Sequence, residues 1–179
     1  GFIISGGGNL GSCVAGVGDI NVDGRDDIVI GAYNIYVNGA GYYTGAAYVI
    51  YGSSNISASI VATSLTSNQG FVIAGEGIYN NLGYSVASAG DVNGDSKKDI
   101  IVGAYGVDGN TGAVYVMYGS STIQALPPQA PIAVVPPVSP AFNLYPSTLS
   151  SALDGLTLKG GASGNQLGYS VAGAGDVNG

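Results

Sequence analysis

Short apolar runs bounded by glycine recur along the chain and set its organisation. Ile28-Val29-Ile30 precedes Gly31, Ala46-Ala47-Tyr48-Val49-Ile50 lies between Gly45 and Gly52, and Phe71-Val72-Ile73 lies between Gly70 and Gly75. The same series returns as Ile100-Ile101-Val102 before Gly103, Ala113 to Met117 between Gly112 and Gly119, and Leu156-Thr157-Leu158 between Gly155 and Gly160. Runs this short, rich in Val, Ile and Tyr and punctuated by Gly, predict β-strands and not helices. With Cys13-Val14-Ala15 and Ser85-Val86-Ala87, which follow Leu-Gly, each full repeat carries four strands.

The polar positions between the strands repeat as well. Asp19-Ile20-Asn21-Val22-Asp23-Gly24-Arg25-Asp26-Asp27 returns as Asp91-Val92-Asn93-Gly94-Asp95-Ser96-Lys97-Lys98-Asp99, and a third copy starts at Asp176-Val177-Asn178-Gly179. Oxygen-bearing side chains at loop positions 1, 3, 5 and 9 are the donor type that a hard cation such as Ca²⁺ takes. The predicted metal ligands are Asp19, Asn21, Asp23, the backbone carbonyl of Arg25 and Asp27 in the first loop. In the second they are Asp91, Asn93, Asp95, the backbone carbonyl of Lys97 and Asp99, and Asp176 and Asn178 begin a third set. Without a cation the three carboxylates of a loop would repel one another. An EF-hand is excluded, because its twelfth position requires Glu and here holds Ile30 or Val102. The bland alternative is that Asp and Asn only close tight turns; identical spacing between matched strands argues for more than that. The second loop has Ser96 where the first has Gly24, and its glycine, Gly94, stands two positions earlier.

Tandem four-stranded units predict an all-β, propeller-like architecture that is incomplete over this length. The expected units are residues 1–69 with loop 19–27, residues 70–122 with loop 91–99, a Pro-rich interblade connection over 123–150, and the start of a third unit over 151–179 with a truncated loop from 176. Every proline falls in the third interval, from Pro127 to Pro146. The chain opens on a strand signal and stops inside a loop, so it reads as an excerpt. The Pro-rich stretch reads as polyproline II, a spacer or strap that packs on a neighbouring blade or subunit.

The surroundings of the loops resemble the FG-GAP repeat of integrin α-subunit propellers. That pattern joins an aromatic or aliphatic residue plus Gly, a Ser-Val-Ala strand, an Asp-rich loop, a hydrophobic strand and a Gly-Ala-Pro end. Here the first element is Leu10-Gly11, Leu82-Gly83 and Leu167-Gly168, and the last is Gly31-Ala32-Tyr33 and Gly103-Ala104-Tyr105, with Tyr in place of Pro. The resemblance implies calcium between the first two strands of each blade, and adhesion or protein–protein assembly at a cell surface or outside the cell.

Composition narrows the alternatives. The net charge is −7, and eight of the eleven acidic residues lie in the three loops. Three of the four basic residues, Arg25, Lys97 and Lys98, lie there too, so no basic face serves nucleic acid. No apolar run approaches the roughly 18 residues of a membrane span. The absence of His removes imidazole bases and Ser-His-Asp triads, which speaks against an enzyme. Cys13 takes the slot of Ser85 and Ser170 and is expected to be a small strand residue. Asn55-Ile56-Ser57 is the only N-glycosylation sequon. Thirteen tyrosines offer contact area for protein partners, other copies of the chain or a glycan, although Tyr48, Tyr51, Tyr115 and Tyr118 recur in the strands and are expected to pack. Two further readings stay open: a subunit of an extracellular, glycosylated fibre, and a calcium-dependent lectin or accessory domain of a secreted hydrolase.

Overall fold

A computed structural model describes residues 1–36, 43–121, 143–144 and 155–174. Asp176, Asn178 and nearly all of the Pro-rich stretch lie outside the described residues. The fold is almost entirely β. A first antiparallel sheet is built from β2 (Val14–Gly18), β3 (Asp27–Ala32), β4 (Ala46–Ile50) and β6 (Gly70–Ala74) in that spatial order. A second repeats it with β7 (Ser85–Gly90), β8 (Asp99–Ala104), β9 (Ala113–Met117) and β11 (Gly155–Lys159). These are the four-stranded sheets of propeller blades.

Two parallel pairings extend the pattern. β1 (Ile3–Ser5) pairs with β5 (Ser59–Val61), and β10 (Asn143–Leu144) pairs with β6 at the outer edge of the first sheet. β5 and β10 occupy the same place in their repeats, between the third and fourth strands of a sheet.

Sequence repeat and sheet are offset by one strand. β6 opens the sequence unit 70–122, yet it pairs with β4 and closes the first sheet. β11 likewise closes the second by pairing with β9. The stretch 123–150, expected between blades, therefore connects two neighbouring strands of one sheet. Apolar runs show which residues are strands but not which strand pairs with which, and this is why the boundary falls elsewhere in space.

Both faces of the first sheet are covered, which explains why β4 and β6 are apolar throughout instead of alternating. On one face Ile30, Tyr48, Ile50 and Val72 pack with Ile60 and Leu65 around β5. On the other, Val17, Ile20, Val29, Val49 and Phe71 share a core with Leu82, Val86, Ile100, Val102 and Met117 of the second sheet. Tyr48 and Tyr51 are buried, as expected for packing residues.

The contact between the sheets is made by the Leu-Gly and Gly-Ala signatures. Leu82 is buried, its N–H donates to the Thr44 carbonyl, and it bridges to Gly45 of the first sheet. A Cβ on Gly31 would collide with the Gly83 carbonyl, and one on Gly83, where φ is +78°, with the Ala46 carbonyl. Gly103 and Gly168 meet in the same way one repeat later. Cys13 and Ser85 also play one role: the thiol donates to the Gly83 carbonyl (3.3 Å) and the hydroxyl to the Gly168 carbonyl (2.8 Å). Burial pushes the Cys13 thiol pKa up, so it stays a neutral packing group.

Candidate functional site: the acidic loops

Each acidic loop joins the first two strands of its sheet, β2 to β3 and β7 to β8, after a register shift at Gly16/Gly18 and Ser88/Gly90. The two loops are built by the same bonds. In the first, Asp19 accepts the N–H groups of Asp23 (2.9 Å) and Gly24 (2.8 Å), Asn21 Oδ1 accepts Asp23 N–H (3.1 Å), and Asp23 Oδ1 accepts Arg25 N–H (2.9 Å). In the second, Asp91 accepts Asp95 (3.0 Å) and Ser96 (2.8 Å), Asn93 accepts Asp95 (3.1 Å), and Asp95 accepts Lys97 (3.0 Å). Side-chain oxygens that bond backbone N–H groups two to five residues ahead are why Asp and Asn suit these turns.

The ninth position has a different task. Asp27 is buried and accepts Ile20 N–H (3.0 Å) and Gly52 N–H (2.8 Å), fastening the loop to the end of β4. Asp99 does the same with Val92 (2.7 Å) and Gly119 (2.9 Å) at the end of β9. Burial raises the pKa of both carboxyls, the two backbone bonds pull it back, and the neighbouring charges, Asp23 and Asp19 or Asp95 and Asp91, push it up again.

Backbone geometry explains where the glycines stand. Position 4 has positive φ in both loops, Val22 at 62° and Gly94 at 75°, and so does position 6, Gly24 at 86° and Ser96 at 66°. Each loop thus supplies one glycine and tolerates one strained residue. The displaced glycine of the second loop leaves its shape unchanged.

Fit to a cation rests on the donors. All are hard oxygens, and each carboxylate oxygen that accepts one N–H keeps a second lone pair. Burial is the main cause that raises Asp27 and Asp99, and a divalent ion would relieve the smaller one, repulsion from the neighbouring carboxylates. Among the described residues, however, no three acidic, His or Cys side chains are gathered into a ready cluster. Asp19, Asn21, Asp23 and Asp27 are joined through one loop backbone, as are Asp91, Asn93, Asp95 and Asp99, and in both loops the side chains are turned to backbone N–H groups. Asp26 and Lys98 are exposed, and the Lys98 stem lies against Gly18 of the first loop.

One feature escaped the sequence reading. Tyr33 and Tyr105, standing where the related pattern has Pro, line up with Tyr84 and Tyr169, which follow Leu-Gly. Ring centroids are 5.0 Å apart for Tyr33–Tyr84, 4.7 Å for both Tyr84–Tyr105 and Tyr84–Tyr169, and 5.5 Å for Tyr105–Tyr169. The Tyr84 and Tyr169 hydroxyls are hydrogen-bonded at 2.9 Å, which pushes the Tyr84 pKa up to about 12. The signal was present in the sequence as Tyr at both signature positions.

Fold and loops together define a class: propeller blades with an Asp-rich loop between the first two strands. Residues 82–117, from the bridging Leu82 through the second loop to the end of β9, match the FG-GAP repeat family. The chain is 37% identical over 118 residues to phosphatidylinositol-glycan-specific phospholipase D of Bos taurus, which covers 64% of this chain and 13% of that protein. It is 34% identical over 117 residues to integrin alpha pat-2 of Caenorhabditis elegans, covering 63% and 10%. Against integrin alpha ina-1 of the same organism it is 29% identical over 154 residues, covering 84% and 13%. Residues 82–117 are an FG-GAP repeat, the chain around them is similar to integrin-α propeller segments, and it spans 10–13% of the length of these relatives. No helix among the described residues is long and apolar enough to cross a membrane.

Proposed function

We propose that this chain is a non-catalytic, calcium-binding propeller segment of a secreted or cell-surface protein, acting in adhesion or protein–protein assembly. The observation that supports it most is that the same side-chain-to-backbone bonds build both acidic loops despite their different residues at positions 2, 4, 6, 7 and 8. Calcium would be held by Asp19, Asn21, Asp23, Asp27 and the Arg25 carbonyl, and by Asp91, Asn93, Asp95, Asp99 and the Lys97 carbonyl. Asp176 and Asn178 would begin a third site. When bound, the ion neutralises carboxylates that otherwise repel and ties each loop into one conformation. The chain's own part is to hold the loop backbone ready, through Asp19, Asp91 and the buried Asp27 and Asp99. The integrin relatives support the surface placement and the protein partners.

Calcium titration by calorimetry tests the metal reading. The expected result is two sites on the chain, with one lost in the double variant D19N/D23N and the other in D91N/D95N. Absence of binding, or binding that ignores both double variants, would leave the loops as turn chemistry alone. A second reading, an accessory domain of a secreted hydrolase, is favoured by the phospholipase D relative. A catalytic domain encoded beside this segment would select it.

A further inference from the structure

We propose that Asn55 is an N-glycan attachment site. The inference rests on the surface placement proposed above but not on calcium. The turn from Gly52 to Ser57 leaves the end of β4 and leads into β5, and Ser53, Ser54, Asn55 and Ser57 are all exposed. Asn55 N–H is held by the Ser53 hydroxyl at 3.1 Å, while among the described residues its carboxamide has no hydrogen-bond partner. Ile56, between the acceptor and Ser57, packs on the core around β5 and anchors the tripeptide from below. The acceptor therefore stands free on a fixed turn, where a bulky hydrophilic group displaces nothing.

The second repeat reads Gly119-Ser120-Ser121-Thr122-Ile123 at the same place, so the acceptor is particular to the first.

In the reaction the Asn55 carboxamide nitrogen bonds to the anomeric carbon of an oligosaccharide carried on a lipid pyrophosphate. The anomeric C–O bond breaks, the lipid pyrophosphate leaves with the electron pair, and the amide releases one proton. The test is mass spectrometry of the peptide containing Asn55, from protein isolated from the cells that make it. The expected result is a hexose and N-acetylhexosamine mass on that peptide, which peptide-N-glycosidase removes to leave aspartate at position 55. Ser57→Ala and Asn55→Gln chains from the same cells would each lack it. Bare Asn55 in protein from the medium or cell surface overturns the site and leaves the surface placement standing. Recovery only from inside the cell, with Asn55 bare, overturns both. Calcium titration of the same material reports separately on the acidic loops.

Discussion

Ile20 and Val92 hold the same position in two loops with matched hydrogen bonds, yet Ile20 is fully enclosed and Val92 is 52% exposed. The difference lies in what stands beside each loop. Against the first lies the second sheet: Ser120 N–H donates to the Ile20 carbonyl (2.9 Å), and Ile20 enters the shared core. Asn21 is buried there, whereas Asn93 is exposed. On the opposite side the asymmetry reverses, because Val14 is 59% exposed and its counterpart Val86, packed against the first sheet, only 7%. Loop conformation is thus local, written in each copy, while loop burial comes from the neighbouring repeat. That is the division expected when repeats contact only their neighbours.

The largest test asks whether the local part is as equal as it looks. Asp27→Ala and Asp99→Ala each strand two backbone N–H groups, so each is expected to destabilise by about 3 to 4 kcal/mol in denaturant unfolding. A large inequality would mean that the neighbour supports one loop and not the other. These carboxyls also set a pH dependence in metal-free protein. Their folded pKa values are raised, so the stability they contribute is complete below the unfolded carboxylate pKa, near 4, and is lost as pH rises through the folded values. Saturating calcium should reverse that slope, because it binds the ionised form. Unfolding midpoints across this window with and without the ion would show it.

A second test targets the unequal part. Ile20→Ala is expected to cost about 3 kcal/mol and Val92→Ala less than about 0.5 kcal/mol, since one empties a core and the other trims an exposed side chain. Similar costs would mean that Val92 is covered in solution, and would make the two settings alike.

The loops themselves were largely legible in the sequence. Spacing marks Asp19, Asn21, Asp23 and Asp27 as the residues that shape the loop, because each bonds within its own loop or to the adjacent strand end. The four strands per repeat were legible from Val, Ile and Tyr between glycines. Which sheet received β6 was not, since antiparallel pairing with β4 depends on partners distant in sequence. The tyrosine row linking Tyr33 to Tyr84 and Tyr169 was missed for the same reason: each ring was visible as a residue, but only interlocking of Gly31 with Gly83 brings them together. Local hydrogen bonding is readable from one segment, and packing between segments is not.

Glycine placement gives a smaller and opposite-signed comparison. Val22 is β-branched at a φ of 62°, so Val22→Gly should stabilise the first loop by about 1 kcal/mol. Ser96→Gly, at 66°, should gain less, because a small polar residue tolerates this region better than a β-branched one. If neither gains, chain entropy added to the unfolded state cancels the relief of strain.

The smallest effect separates the loops by charge. Lys97 Nζ lies 2.7 Å from Asp95 Oδ2, whereas the Arg25 guanidinium stands 4.0 Å from the Asp23 carboxylate and donates instead to the Asp23 backbone carbonyl (3.4 Å). The Lys97 side-chain bond is the main reason that the Asp95 pKa is lowered. A lowered carboxylate contributes stability above its unfolded pKa and loses it as pH falls through the folded value, the reverse of Asp99 in the same loop. Both partners are substantially exposed, so Lys97→Ala should cost no more than about 0.5 kcal/mol at neutral pH, and Arg25→Ala less still. High salt should erase the Lys97 effect, since exposed charges are screened. Calcium gives the sharper discrimination. If Asp95 is a ligand, its bond to Lys97 must compete with the ion, and Lys97→Ala should tighten calcium at the second loop while Arg25→Ala leaves the first nearly unchanged. Unchanged calcium affinity in both variants would mean that Asp95 can serve lysine and metal together through separate lone pairs, or that it serves no metal. The D91N/D95N titration separates those two, because only a ligand role makes that site vanish.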